Sequence, residues 1–140
     1  MKFMIMVRAT DMTEAGEFPP GTDRMMAEMA AFHEELARAG VLLDANGLQP
    51  SSEGFRIRHE DGRIQVIDGP FAESKELIAG YTLIQVRNRD EALAWARRYP
   101  NPMGEGRTGE IEVRPLYGPE DFERKGIPGA ERFRKIGTLA

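Results

Sequence analysis

The chain has 140 residues, of which 41% are hydrophobic and 30% are charged, and its formal net charge is −4. These values are typical of one globular domain with a single core, and the acidic balance argues against direct nucleic-acid binding, which needs a basic surface. The absence of cysteine excludes disulfides, thiolate catalysis and Cys-ligated zinc, and it fits a cytoplasmic protein. No apolar run is long enough to cross a membrane. We also find no spacing typical of a metal, phosphate or dinucleotide site, so we expect no metal and no cofactor.

The first third of the chain predicts a strand, a loop, a helix and a second strand. Residues 2–8 carry apolar side chains on both faces, which is typical of a central strand that is covered on two sides. Residues 10–21 contain Gly and Pro breakers and predict a long loop. Residues 22–39 predict a helix, and residues 41–44 begin the next strand. The apolar stripe of the helix repeats at intervals of four, three and four residues: Met25, Met29, Phe32 and Leu36.

The middle of the chain predicts a β-hairpin followed by a long strand. Residues 55–59 and 63–68 flank an Asp-Gly turn, which favours the positive φ angles of a tight hairpin. Strand spacing puts four apolar side chains of the hairpin on one face: Phe55, Ile57, Ile64 and Val66. Residues 77–87 form the long strand, and Gly80 within it indicates the close approach of another backbone or a bulge.

The last third predicts a helix over residues 88–98, capped by Asn88, and a strand over residues 110–115. Residues 117–140 are rich in Gly, Pro and charge and predict a surface arm or a partly disordered extension. The element order predicts an α+β, ferredoxin-like (split βαβ) domain with an inserted β-hairpin. Because the first strand is apolar on both faces, we expect a homodimer that joins two sheets into a barrel and encloses a ligand cavity.

The loop at residues 68–76 concentrates ionisable groups between two strands. Asp68 shares strand parity with Ile64 and Val66, which predicts that it faces inward and can act as a general base; alternatively it caps its own turn. Phe71 either fills the core below the loop or forms an aromatic wall for a ligand. Glu73 either belongs to a solvated charge cluster or points into the cavity.

Other candidate residues come from the first helix and from the segment around the hairpin. His33 lies at the edge of the apolar stripe, and histidine is suited to proton transfer near neutral pH, so it is either structural or the partner of Asp68 in a dyad. Ser51 and Ser52 could donate hydrogen bonds to an anion or carbonyl. Arg56 could bind a carboxylate, or it lies on a solvated strand face.

Five segments together resemble one known family: AGVLL at 39–43, GLQPSS at 47–52, DGPFAESKE at 68–76, LIAGY at 77–81 and IEVRP at 111–115. The chain is similar to the YCII-related family, in particular to its DGPF branch, over most of residues 1–122. The resemblance implies a dimeric α+β barrel domain over residues 1–116.

The resemblance also has functional implications. The founding branch uses a histidine on the first helix and an aspartate before a proline after the second helix, and the corresponding positions here are Met29 and Tyr99. Relatives include a dehydrochlorinase of aromatic metabolism, and the DGPF branch is associated with extracytoplasmic-function sigma factors.

We therefore hold two hypotheses. One is a small-molecule-binding or enzyme-like protein that abstracts a proton near residues 68–71. The other is a non-catalytic regulator that binds a sigma factor through its surface or its C-terminal extension.

Overall fold

Within residues 1–137, which the computed structural model describes, the chain forms six strands and five α-helices. The strands are β1 (Lys2–Arg8), β2 (Leu42–Gly47), β3 (Phe55–Glu60), β4 (Arg63–Asp68), β5 (Ile78–Gln85) and β6 (Ile111–Pro115). The helices are α1 (Asp11–Glu14), α2 (Thr22–Arg38), α3 (Arg89–Arg97), α4 (Pro119–Glu123) and α5 (Ala130–Lys135). Short 3₁₀ turns occupy Ser51–Glu53 and Ser74–Glu76. None of these helices is long and apolar enough to span a membrane.

Four strands form an antiparallel sheet in the order β2-β5-β1-β6. In this order β5 runs between β1 and β2 and opposite to both, and α2 makes the crossover, which is the split βαβ arrangement. Strands β3 and β4 form a separate two-stranded sheet, inserted in the chain between β2 and β5. The predicted α+β, ferredoxin-like fold with an inserted hairpin is confirmed.

One face of the main sheet carries the core. Alternate residues of the central strands, such as Ile5 and Ile84, meet the apolar stripe of α2 and the inner face of α3. The buried cluster consists of Phe3, Ile5, Phe32, Leu36, Val41, Ile84, Val86 and Ala92. Of the predicted α2 stripe, Phe32 and Leu36 are buried in this core, whereas Met25 and Met29 are only partly buried.

Several local predictions are confirmed by backbone contacts. The Asn88 side chain accepts a hydrogen bond from the Glu91 amide at 2.9 Å and so caps α3. A Cβ atom at position 80 would lie 3.1 Å from the Asn46 carbonyl oxygen, which explains why glycine stands where β2 and β5 approach closely. The predicted loop at residues 10–21 differs from expectation because it contains α1. Thr10 and Thr13 cap this short helix through reciprocal side-chain bonds to each other's backbone amides.

The hairpin does not bury the face that its sequence predicts to turn inward. Its register pairs Ile57 with Val66 and His59 with Ile64, so the four apolar side chains share one face as expected. That face is exposed, however, and Asp68 at its end is exposed with it. The prediction that Ile64, Val66 and Asp68 turn inward is wrong. Parity fixed only which residues share a face, and the hairpin forms its own sheet instead of joining the sheet that holds the core.

The C-terminal extension contains two short helices although its sequence shows no clear periodicity. An ion pair of 2.6 Å between Arg134 and Glu123 links α5 to α4, and Ala130 is buried. The rings of Tyr117 and Phe122 lie 5.0 Å apart between centroids. The prediction for residues 117–140 covers three residues, 138–140, that lie outside the described part of the chain.

Candidate functional site

A cavity of about 750 Å³ opens between α2, β5 and the segments that follow β1 and α3. Its volume is within the range of roughly 300–1,000 Å³ that is typical of small-molecule sites. Five methionines line it, from α1, from α2 and from the segment after α3: Met12, Met25, Met26, Met29 and Met103. Methionine is flexible and polarisable, so these walls can adapt to the shape of an apolar or aromatic guest.

A chain of three hydrogen-bonding side chains lies on the wall of this cavity. The Nε2 atom of His33 lies 2.7 Å from Oγ1 of Thr82, and that oxygen lies 3.2 Å from the Tyr99 hydroxyl. All three residues line the cavity. Thr82 has no exposed surface, whereas His33 and Tyr99 are partly buried. The buried Thr82 hydroxyl therefore connects two other cavity-lining residues, His33 and Tyr99.

The hydrogen-bond partners of His33 and Thr82 determine which atoms carry the protons. Nδ1 of His33 lies 2.7 Å from the Met29 carbonyl oxygen, which can only accept a hydrogen bond, so Nδ1 carries the proton in the neutral ring. Nε2 is then an acceptor, and the Thr82 hydroxyl donates to it. The Thr82 oxygen in turn accepts from the Tyr99 hydroxyl. When His33 is neutral, the hydrogen bonds therefore all donate in one direction: Tyr99 donates to Thr82, and Thr82 donates to Nε2 of His33.

The surroundings of Tyr99 favour its protonated form. Burial raises the pKa of Tyr99 above its usual value, and the Thr82 hydroxyl opposes that shift because it can bond to a phenolate. Aromatic rings hold the side chain in place, with centroid distances of 5.4 Å to Phe32 and 5.9 Å to His33, both edge-to-face. The phenol is therefore a neutral, positioned donor at the cavity wall.

The rim of the cavity is charged. Arg24 pairs with Glu28 at 3.0 Å and with Glu105 at 2.9 Å, and Glu28 and Glu105 line the same opening. The segment between α1 and α2 completes the opening, and its Phe18 side chain is largely exposed. The opening of the cavity is thus polar, whereas its methionine-lined walls are apolar.

A second cavity of about 530 Å³ brings together three of the residues predicted as ligand-binding. Ser51, Arg56 and Phe71 line it together with Glu14. The Arg56 guanidinium lies over the Phe71 ring, 3.7 Å from its centroid, which is a cation–π contact. Phe71 is partly buried and lies outside the core cluster, so it does not fill the core as one reading of the sequence expected.

Ser51 and Glu14 connect the loop at residues 68–76 to α1, which lines the large cavity. The Glu14 carboxylate accepts from the Ser51 amide at 3.0 Å and from the Ser51 hydroxyl. The Ser51 hydroxyl oxygen accepts from the Phe71 amide at 3.0 Å. Gly69 packs so closely that a Cβ atom there would lie 1.8 Å from the Ser51 carbonyl oxygen. Because α1 carries both Met12 and Glu14, the loop at residues 68–76 acts as a support for that wall.

Three predicted site residues lie outside both cavities. Asp68 is exposed and has no side-chain hydrogen bond or ion pair to any described residue; it does not cap its turn, and it does not contact His33, so no dyad forms within the chain. Ser52 is exposed, and so is Glu73, which precedes a 3₁₀ turn. Within residues 1–137, no group of three or more His, Cys, Asp or Glu side chains could hold a metal ion.

Strand parity in the sequence is a signal for Thr82. Thr82 shares strand parity with buried Ile84, and a hydroxyl on the buried face of a central strand must find a partner. Tyr99 stands out in the sequence only as the position that corresponds to the founding branch's aspartate. Glu14 lay in a segment predicted as a loop, where no pattern indicated its contact with Ser51.

Comparison with known proteins gives a family and two individual similarities. A family model described as the YCII-related domain matches residues 1–118. An uncharacterised protein of Rhizobium meliloti (strain 1021) is 39% identical over 94 residues, which is 67% of this chain and 74% of that protein. A solved structure of 5-chloro-2-hydroxyhydroquinone dehydrochlorinase from Burkholderia phenoliruptrix AC1100, in complex with 2,5-dihydroxybenzoquinone, aligns over 84% of this chain and 95% of that one, with 10% identity and a TM-score of 0.41.

Proposed function

This protein belongs to the YCII-related family, and we propose that it is a small-molecule-binding, enzyme-like protein whose site is the methionine-lined cavity around His33. One observation supports this most strongly: a cavity with largely apolar walls contains a continuous hydrogen-bond chain from Tyr99 to His33. A mostly apolar pocket with a few convergent polar groups is typical of small-molecule sites. The proposal moves the chemistry from the loop at residues 68–71, where Asp68 has no partner among residues 1–137, to His33.

The cavity walls and the hydrogen-bonded series Tyr99–Thr82–His33, called the relay below, define the class of ligand. Methionine sulfurs make favourable contacts with aromatic rings, and the Tyr99 hydroxyl is the donor end of the hydrogen bonds from Tyr99 through Thr82 to His33. A matching ligand has an apolar or aromatic body and one weakly acidic group, such as a phenolic hydroxyl or a carbon beside a carbonyl. The DGPF assignment within the family stays a prediction, as do the homodimer and the cytoplasmic location.

The relay can take up one proton from such a ligand. The ligand proton moves to the Tyr99 oxygen while the Tyr99 proton moves to Thr82 and the Thr82 proton moves to Nε2 of His33. Tyr99 and Thr82 end neutral, and the imidazolium keeps its Nδ1–H bond to the Met29 carbonyl. The positive charge on His33 then stabilises the ligand anion across the relay. Proton abstraction of this kind is the first step of an elimination, which is the reaction class that we expect.

The position of Tyr99 is consistent with a functional site. The resemblance places the founding branch's histidine and aspartate at Met29 and Tyr99. His33 lies one helical turn beyond Met29, bonds its carbonyl, and reaches Tyr99 through Thr82. The same two elements that would supply a histidine–aspartate pair thus supply a histidine–tyrosine pair joined by a hydroxyl.

A titration with 4-nitrophenol tests the proposal, because its ionised form absorbs visible light. We expect the protein to bind 4-nitrophenol and to increase its ionised fraction at a pH below the solution pKa of the phenol. His33→Gln should still bind but lose the extra ionisation, whereas His59→Gln, on the exposed hairpin, should behave like the wild type. Absence of binding to the wild type, or equal ionisation in His33→Gln, would show the proposal to be wrong.

The regulatory hypothesis has less support. No contact or surface among the described residues points to a sigma factor in particular. That partner stays a prediction from the resemblance.

A further inference from the structure

The segment between α1 and α2 holds a phenylalanine ring at the mouth of the methionine-lined cavity. Phe18 lines this cavity, yet its side chain is 85% exposed, more than any other large hydrophobic side chain within residues 1–137. The ring therefore borders both the cavity and the solvent. An exposed aromatic ring gains free energy when apolar groups cover it, and other aromatic rings are favourable partners. A ring at this place is thus suited to cover an apolar or aromatic guest of the cavity.

The backbone that carries Phe18 has few hydrogen bonds. The next two residues are prolines, which lack an amide hydrogen, and the Phe18 amide has no hydrogen-bond partner among residues 1–137. The remaining bonds lie at the ends of the segment: the Glu17 amide donates to the Met12 carbonyl at 3.2 Å, and the Pro19 carbonyl accepts from the Thr22 amide at 3.1 Å. A segment with so few backbone bonds can move without opening the core.

Glycines with positive φ stand at both ends of this segment. Gly16 follows α1 with φ +69°, and Gly21 precedes α2 with φ +95°. Because glycine changes φ and ψ more freely than other residues, the two positions are suited to be hinges. A Cβ atom at Gly21 would meet no atom beyond its chain neighbours within 4 Å, so this hinge has open space around it. The prolines stiffen the stretch between the hinges, so residues 17–20 can move as a unit.

Both anchors of the segment belong to the cavity wall. The lining includes Met12 from α1 and Met25 from α2. Helix α1 is held in place because Glu14 accepts two hydrogen bonds from Ser51, and α2 packs on the main sheet. Movement of residues 17–20 between these fixed ends therefore changes how far the opening is covered. A ring that moves inward also meets methionine side chains, whose sulfurs make favourable contacts with aromatic rings.

We propose that residues 17–20 close over an occupied cavity and that the Phe18 ring then contacts the apolar or aromatic body of the ligand. This inference rests on the proposed function, since it requires a small molecule in the cavity. The ligand supplies the apolar surface that the ring covers, which couples closure to binding. Closure also excludes water from the relay, so the relay exchanges its proton with the ligand instead of with solvent.

The dissociation rate of 4-nitrophenol measures the contribution of the ring. The single tryptophan, Trp95, packs edge-to-face on Phe32 beside Tyr99, and a nitrophenol in the cavity should quench its fluorescence whether or not the phenol ionises. We expect Phe18→Ala to raise the dissociation rate at least about tenfold, with little change in the association rate, because the ligand loses its cover. The melting temperature should not change, since the ring is exposed. Phe55→Ala, at an exposed phenylalanine outside both cavities, should leave the dissociation rate unchanged.

The outcomes separate the closing segment from the cavity itself. If the wild type does not bind 4-nitrophenol, both the proposed function and this inference fail. If the wild type binds but Phe18→Ala releases the phenol at the wild-type rate, the segment does not close over the ligand, whereas the cavity proposal stands. A Phe18→Ala variant with a different mass in solution would show that the ring covers another protein chain instead, and this result too would overturn the inference.

NMR of the wild-type complex gives the same test without a substitution. We expect nuclear Overhauser effects between the ring protons of 4-nitrophenol and those of Phe18, together with effects to the methyl groups of Met25 and Met29. Contacts to the methionines alone would overturn the closure and leave the cavity proposal intact. Contacts to none of the three residues would overturn both.

Discussion

Replacing Thr82 with valine removes the central oxygen of the relay and keeps the shape of the side chain. The Thr82 side chain is completely buried, and its oxygen contacts both Nε2 of His33 and the Tyr99 hydroxyl. Valine fills the same volume, so water cannot take the place of the lost hydroxyl. His33 and Tyr99 then each lose one partner.

The loss of stability in Thr82→Val follows from those two contacts. Each net hydrogen bond contributes about 1 kcal/mol, and a buried group that is left unpaired costs about 1–3 kcal/mol. Because His33 and Tyr99 also face the cavity, water there can pair with part of what is lost. We therefore expect Thr82→Val to lower the free energy of unfolding by about 2 kcal/mol. Thr108→Val, at an exposed threonine, should change it by less than about 0.5 kcal/mol.

A double-mutant cycle with Tyr99→Phe, measured by urea unfolding, separates the relay from general packing. If Tyr99 acts through Thr82, Tyr99→Phe should cost less in the Thr82→Val background than in the wild type, by about 1 kcal/mol. Additive losses, or a Thr82→Val variant as stable as the Thr108→Val control, would refute the relay.

Three further predictions concern the support loop and the ionisation of the relay. Glu14→Gln should lower stability by about 1–2 kcal/mol, because the two Ser51 donors bond to different carboxylate oxygens and one of these becomes an NH₂ group that cannot accept. Hydrogen exchange should then show faster exchange of the Phe71 amide, and unchanged exchange there would argue against the support role. Gly69→Ala should lower the melting temperature markedly, since its Cβ would overlap the Ser51 carbonyl at 1.8 Å, whereas Gly54→Ala, with 3.6 Å of clearance, should be tolerated; equal effects would contradict the close packing. The raised pKa of Tyr99 implies that the native state holds this proton longer than the unfolded chain does. The contribution of protonated Tyr99 to the unfolding free energy is therefore complete below pH 10.0 and is lost as the pH rises above that value. In that range the unfolding free energy of the wild type should fall more steeply than that of Tyr99→Phe.

The sequence was sufficient for the order of the six strands and of α2 and α3, because each of these elements has a local signal, whereas the short helices α1, α4 and α5 have none. The apolar stripe of α2, the Asn88 cap and the glycine at position 80 each constrain a few neighbouring residues, and all three are confirmed. The orientation of the hairpin had no such signal. Alternation shows which side chains share a face, but whether that face is inside depends on what the hairpin packs against.

The relay was not predictable from spacing. His33, Thr82 and Tyr99 come from a helix, a strand and the end of another helix, and they meet only because β5 lies beside β1 under α2. The loop at residues 68–76 stands out by its polar composition, yet its contacts through Ser51 and Ser74 lead to α1. A cluster of ionisable residues in sequence is thus weaker evidence of a site than a buried hydroxyl with two partners.

The most direct test of the proposed site is the protonation state of His33, measured by ¹⁵N NMR of the imidazole nitrogens with and without 4-nitrophenol. The chain has only two histidines, and exposed His59 serves as an internal reference. We predict a free ring protonated at Nδ1 with Nε2 as acceptor, and protonation at Nε2 when the phenol binds. A free ring protonated at Nε2, or an Nε2 that stays unprotonated when the cavity is occupied, would contradict the assignment of His33 as the proton acceptor.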